Sequence, residues 1–193
     1  MFIQNWKKEL TAIPNLLTLF RLVLIPVYVT LYLMATCSAD YHLAGLILAL
    51  SCLTDLLDGK VARHFNMVTN LGKLLDPLAD KATQLALTLC LSIRYPVLRP
   101  VLVLFLIKES FQTAAAAYYL RRGMVLSGAL TVGKVCTTIM FASLTALVFF
   151  PRLPAQFISI IAMADLAALA VSFLCYGLAF FGKRRNTHLQ DLS

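Results

Sequence analysis

Charge is what this chain has least of. Of its 193 residues, 13% are Asp, Glu, Lys or Arg, about half the ~25% usual in soluble domains. Hydrophobic residues make up 60%, and the mean hydropathy is +0.82. A water-soluble domain of this size could not hide so much apolar surface, which excludes a soluble enzyme and a disordered chain. Acidic residues number only nine against 17 Lys and Arg, a formal net charge of +8. In a chain this apolar that excess does not indicate a nucleic-acid partner. The five cysteines, Cys37, Cys52, Cys90, Cys136 and Cys175, are odd in number, form no CxxC pair and lie mostly in apolar runs. That excludes a disulfide framework and a zinc site. No linker or low-complexity segment divides the chain, so residues 1–193 read as one domain.

What the chain does have is long apolar runs. A bilayer span needs about 20 apolar residues, and such runs fall at roughly 16–35, 42–62, 72–93, 98–120, 129–150 and 155–181. They predict an all-α polytopic membrane protein with six transmembrane helices. Residues 1–12, with Trp6, Lys7 and Lys8, read as a short interfacial helix on the bilayer surface. Pro14 then breaks the chain and opens the first span. Lys7 and Lys8 before an apolar run resemble a signal peptide, but the run is too long, contains Arg21 and is followed by further spans, so it reads as a retained helix. Residues 183–193 form a polar tail.

Basic residues set the expected orientation. With both termini on one side, that side and the adjoining helix ends receive fourteen Lys and Arg, and the other side receives only Arg94, Arg99 and Arg152. Both termini are therefore expected in the cytoplasm.

The few acids are grouped. Asp55, Asp58, Asp76 and Asp80 fall within 26 residues across the turn joining the second and third helices. Ionisable groups in membrane segments are costly and usually functional. Asp55 and Asp58 are three apart and Asp76 and Asp80 four apart, so each pair shares a helical face. Two antiparallel helices could bring four carboxylates into one space at the cytoplasmic end. Cations must neutralise such a group, and oxygen ligands without His or Cys suit Mg²⁺ or Mn²⁺. Two ions bridged by carboxylates would form a phosphoryl-transfer arrangement. The competing account makes the acids helix caps paired with Lys60, Arg63, Lys73 and Lys81. Gly59, Ala62 and Gly72 favour the first account, because they leave room for a bulky ligand beside the backbone, and Arg63 suits a phosphate.

The run Asp55-Leu-Leu-Asp58-Gly59-Lys-Val-Ala62-Arg63, followed after eight residues by Gly72, then Asp76 and Asp80, matches eight spaced positions. It resembles the signature of the CDP-alcohol phosphotransferases. Ile13-Pro14-Asn15-Leu-Leu-Thr18-Leu-Phe-Arg21 is similar to the start of the first helix in the phosphatidylglycerophosphate synthases of that family. Length and span number agree, so the resemblance covers nearly the whole chain.

The resemblance implies that Asp55, Asp58 and Asp76 ligate two divalent metals, Mg²⁺ or Mn²⁺, with Asp80 at the edge of that site and acting as general base for the incoming hydroxyl. It implies that Gly59, Ala62, Arg63 and Gly72 line a CDP pocket, with Asn15, Thr18 and Arg21 as further candidates on the nucleotide side. A helix cap and a snorkelling interfacial Arg would explain those three equally. It also suggests a homodimer.

Lys108 and Lys134 lie inside apolar segments, and Arg121 lies at a turn. They could form a cationic pocket for an acceptor that already bears a phosphate, although Lys108 could instead pair with Glu109. The reading is a phosphatidyltransferase of a bacterial-type cell membrane, with its active site facing the cytoplasm. It moves the phosphatidyl group of CDP-diacylglycerol to glycerol 3-phosphate and releases CMP. A cardiolipin synthase using phosphatidylglycerol as acceptor is the alternative in the same family, and a small divalent-cation transporter is the alternative from another class. The transporter requires acids deep in several helices. Asp165 is the one deep acid outside the cluster, and its partner stays open between a Lys and a polar contact.

Overall fold

The computed structural model describes residues 12–64, 69, 71–121 and 129–190. Among these the chain is all-helical, with no strand. Six α-helices follow in order: α1 Ile13–Met34, α2 Ser38–His64, α3 Gly72–Arg94, α4 Arg99–Arg121, α5 Ala129–Phe149 and α6 Ala155–Gln190, with a single 3₁₀ turn at Pro96–Leu98 between α3 and α4. The interfacial helix expected over 1–12 lies outside the described residues except for Ala12. Ala12 is extended (φ −63°, ψ 135°) and caps α1, whose first turn holds Pro14, where a missing N–H costs nothing.

Two boundaries differ from the sequence reading. α2 begins at Ser38, ahead of the apolar run, because Asp40 in its first turn accepts hydrogen bonds from the backbone N–H of Thr36 (2.8 Å) and Cys37 (2.9 Å). Helix dipole and bonding both favour a carboxylate there. α6 runs on through Gln190, into the polar tail. Lys and Arg at 183–185 suit a helix C-terminal region, so loss of apolarity does not end the helix.

The outer surface is more apolar than a soluble protein's, and the largely apolar core also holds polar side chains. Large apolar side chains face outward, among them Met34, Leu46, Val23, Ile160, Met163 and Leu178. Buried positions include polar ones: Asn15, Thr18, Arg21, Ser51, Thr54, Thr83, Thr88, Ser92, Lys108, Asp165 and Ser172. Hydrocarbon outside the protein produces this pattern, because polar groups can be satisfied only from within. Among the described residues, three helices carry stretches long and apolar enough to cross a membrane: Asn15–Met34, Pro96–Tyr118 (with the 3₁₀ turn) and Ala155–Leu178; Gly133–Phe149 is a shorter apolar helix. α2 and α3, which carry the four clustered acids and their basic neighbours, are not among them.

The helices pack as two compact units, one within 1–91 and 147–152, the other within 92–146 and 153–193. In the first, α1 packs along α2. Tyr32 stacks edge-on against Tyr41 at 5.2 Å, and Gly45 lets the Phe149 ring approach its backbone. In the second, α4 packs on α6 through Phe111, whose ring meets Phe173 at 5.4 Å and Phe180 at 5.7 Å. α5 approaches α6 at Gly133, where the Tyr176 ring fills the space of a side chain. The partner of Asp165 is also here: the Ser143 hydroxyl lies 2.8 Å from both carboxylate oxygens, tying α5 to α6.

Two outcomes follow from these bonds. Ser143→Ala leaves the buried Asp165 carboxyl without its hydroxyl, and should destabilise the protein by about 1–3 kcal/mol, seen as a lower melting temperature in detergent. Asp40, in the first turn of α2, has its pKa lowered to about 2 by the Cys37 and Thr36 backbone donors. A depressed carboxyl contributes stability above its unfolded value, near 3.8, and loses it as pH falls through about 2. Asp40→Ala should therefore lower the melting temperature at pH 7, and the difference from wild type should vanish near pH 2.

Candidate active site

The site begins with three residues of α1. Asn15, Thr18 and Arg21 recur every three positions and so form one stripe of the helix, and all three are buried. Each reaches the start of α3. The Asn15 amide Nδ2 donates to Thr69 Oγ1 at 2.9 Å, and the Thr69 hydroxyl donates back to Asn15 Oδ1 at 3.1 Å. Thr69 Oγ1 also accepts the backbone N–H of Gly72 at 2.9 Å, satisfying one of the donors that a helix start leaves open. One turn along α1, Thr18 Oγ1 donates to Asp76 Oδ1 at 2.8 Å. After another turn, Arg21 Nη1 contacts Asp80 Oδ1 of α3 and lies 2.5 Å from Asp55 Oδ1 of α2.

Arg21 therefore joins three helices. One guanidinium nitrogen touches carboxylates from two different elements, so Asp55 and Asp80 face each other across it. Arg21 is 2% exposed, while the Asp55 and Asp80 side chains are 40% and 50% exposed. The cation is sealed in the helix packing and the acids open to the outside.

Of the residues expected at the site, Asp55, Asp76 and Asp80 lie together with Asn15, Thr18 and Arg21. Asp58, Gly59, Ala62 and Arg63 continue α2, but their side chains lie outside the described residues. Among the described residues no three His, Cys, Asp or Glu side chains gather as a metal-holding group. Asp55 and Asp80 converge on Arg21, and Asp76 turns to Thr18. Gly72 is buried, and a Cβ there would stand 2.6 Å from Asn15 Oδ1 and 3.0 Å from Thr69 Oγ1. Its missing side chain admits the α1 amide.

The basic candidates for an acceptor pocket belong to the second unit. Lys108 is buried, with Nζ 2.6 Å from Glu109 Oε1 and 5.9 Å from the centre of the Tyr176 ring. Its partner is the neighbouring acid, as one of the two sequence readings held. Lys134 is exposed, and the Arg121 side chain lies outside the described residues. Thr69 escaped the sequence reading. Its signal was a Thr three residues before a helix start, a common capping position, which falls in a polar turn where such residues are frequent.

With this geometry in hand, comparison with known proteins is direct. The family model described as CDP-alcohol phosphatidyltransferase matches residues 11–176. A Bacillus subtilis protein named CDP-diacylglycerol--glycerol-3-phosphate 3-phosphatidyltransferase is 31% identical over 187 residues, covering 89% of this chain and 94% of its own. A protein of the same name from Rickettsia typhi is 42% identical over 69 residues, 36% of this chain and 38% of its own. A Rattus norvegicus protein named cardiolipin synthase (CMP-forming) is 42% identical over 112 residues, 57% of this chain and 35% of its own. The chain belongs to the CDP-alcohol phosphatidyltransferase family and is an integral membrane enzyme of that class.

The fit of Gly72 against Asn15 can be tested. Gly72→Ala should destabilise the protein by about 1–3 kcal/mol, the usual result of overfilling a packed site. In an Asn15→Ala background the same change should cost less, since the closest clash is gone. Thermal melts of the four proteins close this double-mutant cycle.

Proposed function

We propose that this enzyme transfers the phosphatidyl group of CDP-diacylglycerol to the hydroxyl of glycerol 3-phosphate, producing phosphatidylglycerophosphate and CMP. The convergence of Asp55 and Asp80 on one buried cation, within the complete spaced signature from Asp55 to Asp80, carries the reaction class. The acceptor is supported by the name of the Bacillus subtilis relative, aligned over nearly its whole length. We further propose six spans with an N-terminal interfacial helix, a single catalytic domain over the chain, both termini and the site in the cytoplasm, and a homodimer.

The donor set suits Mg²⁺ or Mn²⁺. It is made of carboxylate oxygens, and two of its members, Asp55 and Asp80, are about half exposed and face each other across Arg21. Asp55, Asp58, Asp76 and Asp80 would hold two such ions, which when bound neutralise charge on the donor pyrophosphate and on the departing CMP. Thr18 orients Asp76 through its hydroxyl, and Asn15 with Thr69 fixes the start of α3, so the carboxylates are held before substrate arrives. Asp80 accepts the proton of the acceptor hydroxyl. That oxygen attacks the diacylglycerol-bearing phosphorus in line, a new P–O bond forms, and the bond to CMP breaks with its electrons going to the CMP phosphate. Gly59, Ala62, Arg63 and Gly72 would border the CDP, and Lys108, Lys134 and Arg121 the acceptor phosphate.

A second reading, cardiolipin synthesis with phosphatidylglycerol as acceptor, is favoured by the rat relative. Purified protein given CDP-diacylglycerol, Mg²⁺ and each acceptor separates the two. The expected result is CMP and a phosphate-bearing lipid with glycerol 3-phosphate, abolished by EDTA and restored by Mg²⁺ or Mn²⁺. CMP release only with phosphatidylglycerol would transfer the assignment to the second reading, and full turnover in EDTA would remove the ions. Asp80→Asn should lower turnover about 10²–10⁴-fold, the range of general-base catalysis.

A further inference from the structure

We infer that Arg21 is a built-in counter-cation that competes with divalent ions for Asp55 and Asp80, and so sets how tightly the site holds those ions. This rests on the metal reading above. Two half-exposed carboxylates from α2 and α3 face each other across one guanidinium nitrogen. Without a positive charge between them they would repel and push the two helix segments apart. A guanidinium stays charged at every accessible pH, so one of the pair's two negative charges is offset whether or not an ion is present. Arg21 also cannot withdraw with its helix. Asn15 and Thr18, two turns and one turn earlier on the same stripe, are bonded to Thr69 and Asp76. The backbone of Arg21 is therefore held in register, and only its side chain can yield.

An ion approaching Asp55 and Asp80 meets oxygens already engaged by a cation, and must displace those contacts or share them at a Coulombic cost. The usual part for such an Arg is a scaffold that shapes the ligands. The two roles predict opposite signs. Removing a scaffold loosens the ligands and weakens ion binding. Removing a competitor weakens the ion-free protein but tightens ion binding.

The experiment uses the full chain purified in detergent, with Mn²⁺ as the probe and free Mn²⁺ followed by electron paramagnetic resonance. Arg21→Gln should bind Mn²⁺ about tenfold tighter or more, tenfold being about 1.4 kcal/mol. In EDTA it should melt below wild type, and saturating Mn²⁺ should narrow the gap. Arg21→Lys keeps a cation at the position and should bind Mn²⁺ close to wild type. Unchanged or weaker Mn²⁺ binding by Arg21→Gln overturns the proposal. Should Arg21→Gln fail to fold, adding Asp55→Asn should restore folding by removing the uncompensated charge, and a double variant that still does not fold overturns it. Wild-type protein that binds no Mn²⁺ defeats the metal reading instead. The order of melting temperatures in EDTA, with Asp55→Asn raising that of Arg21→Gln, then judges the counter-cation on its own.

Discussion

Hydrocarbon offers no water to a polar group, and α1 nevertheless carries an amide, a hydroxyl and a guanidinium on one stripe. The first unit is organised around satisfying them. Each group must find its partner inside the protein, and each finds it on or beside the neighbouring helices: Thr69, Asp76, then Asp80 with Asp55. Hydrogen bonds and an ion pair therefore help set the register of α1 against α3, since apolar packing is something lipid could supply as well as another helix does. Gly72 makes the closest approach possible by having no side chain to place where Asn15 sits.

The same constraint bears on the clustered carboxylates. Four acids clustered between Asp55 and Asp80 of so apolar a chain would be costly without compensation. The structure shows part of that compensation: Thr18 bonds Asp76, and Arg21 pairs with Asp55 and Asp80. The second unit follows the same rule with different groups. Asp165 is bonded by Ser143 across α5 and α6, and Lys108 is paired with Glu109 and set over Tyr176. Buried polarity joins helices in both units, while exposed Leu, Ile, Val and Met face lipid.

Much of this was legible in the chain. Six apolar runs correspond to the six helices to within a few residues at most ends, because a run of apolar residues bounded by polar turns has few other solutions in a membrane. The ends that moved were decided by local polar chemistry: Asp40 starts α2 early, and a basic, helix-compatible tail carries α6 to Gln190. The clustering of the four acids was evident because acids are so scarce here that four within 26 residues stand out.

Spacing places Asn15, Thr18 and Arg21 on one face but does not name what lies opposite, so a role toward nucleotide and a role toward protein were equally open. Asp165 was conspicuous, but a lone buried acid can be satisfied by a Lys, a Ser or a backbone donor, and only the packing of α5 on α6 selects Ser143. The sequence by itself determined the membrane setting, the helices and the family, since composition, run length and the spaced signature are properties of one dimension. The tertiary structure alone decided the partners of the α1 stripe, because hydrogen bonds and ion pairs between residues distant in the chain depend on which helix faces appose, and at what height.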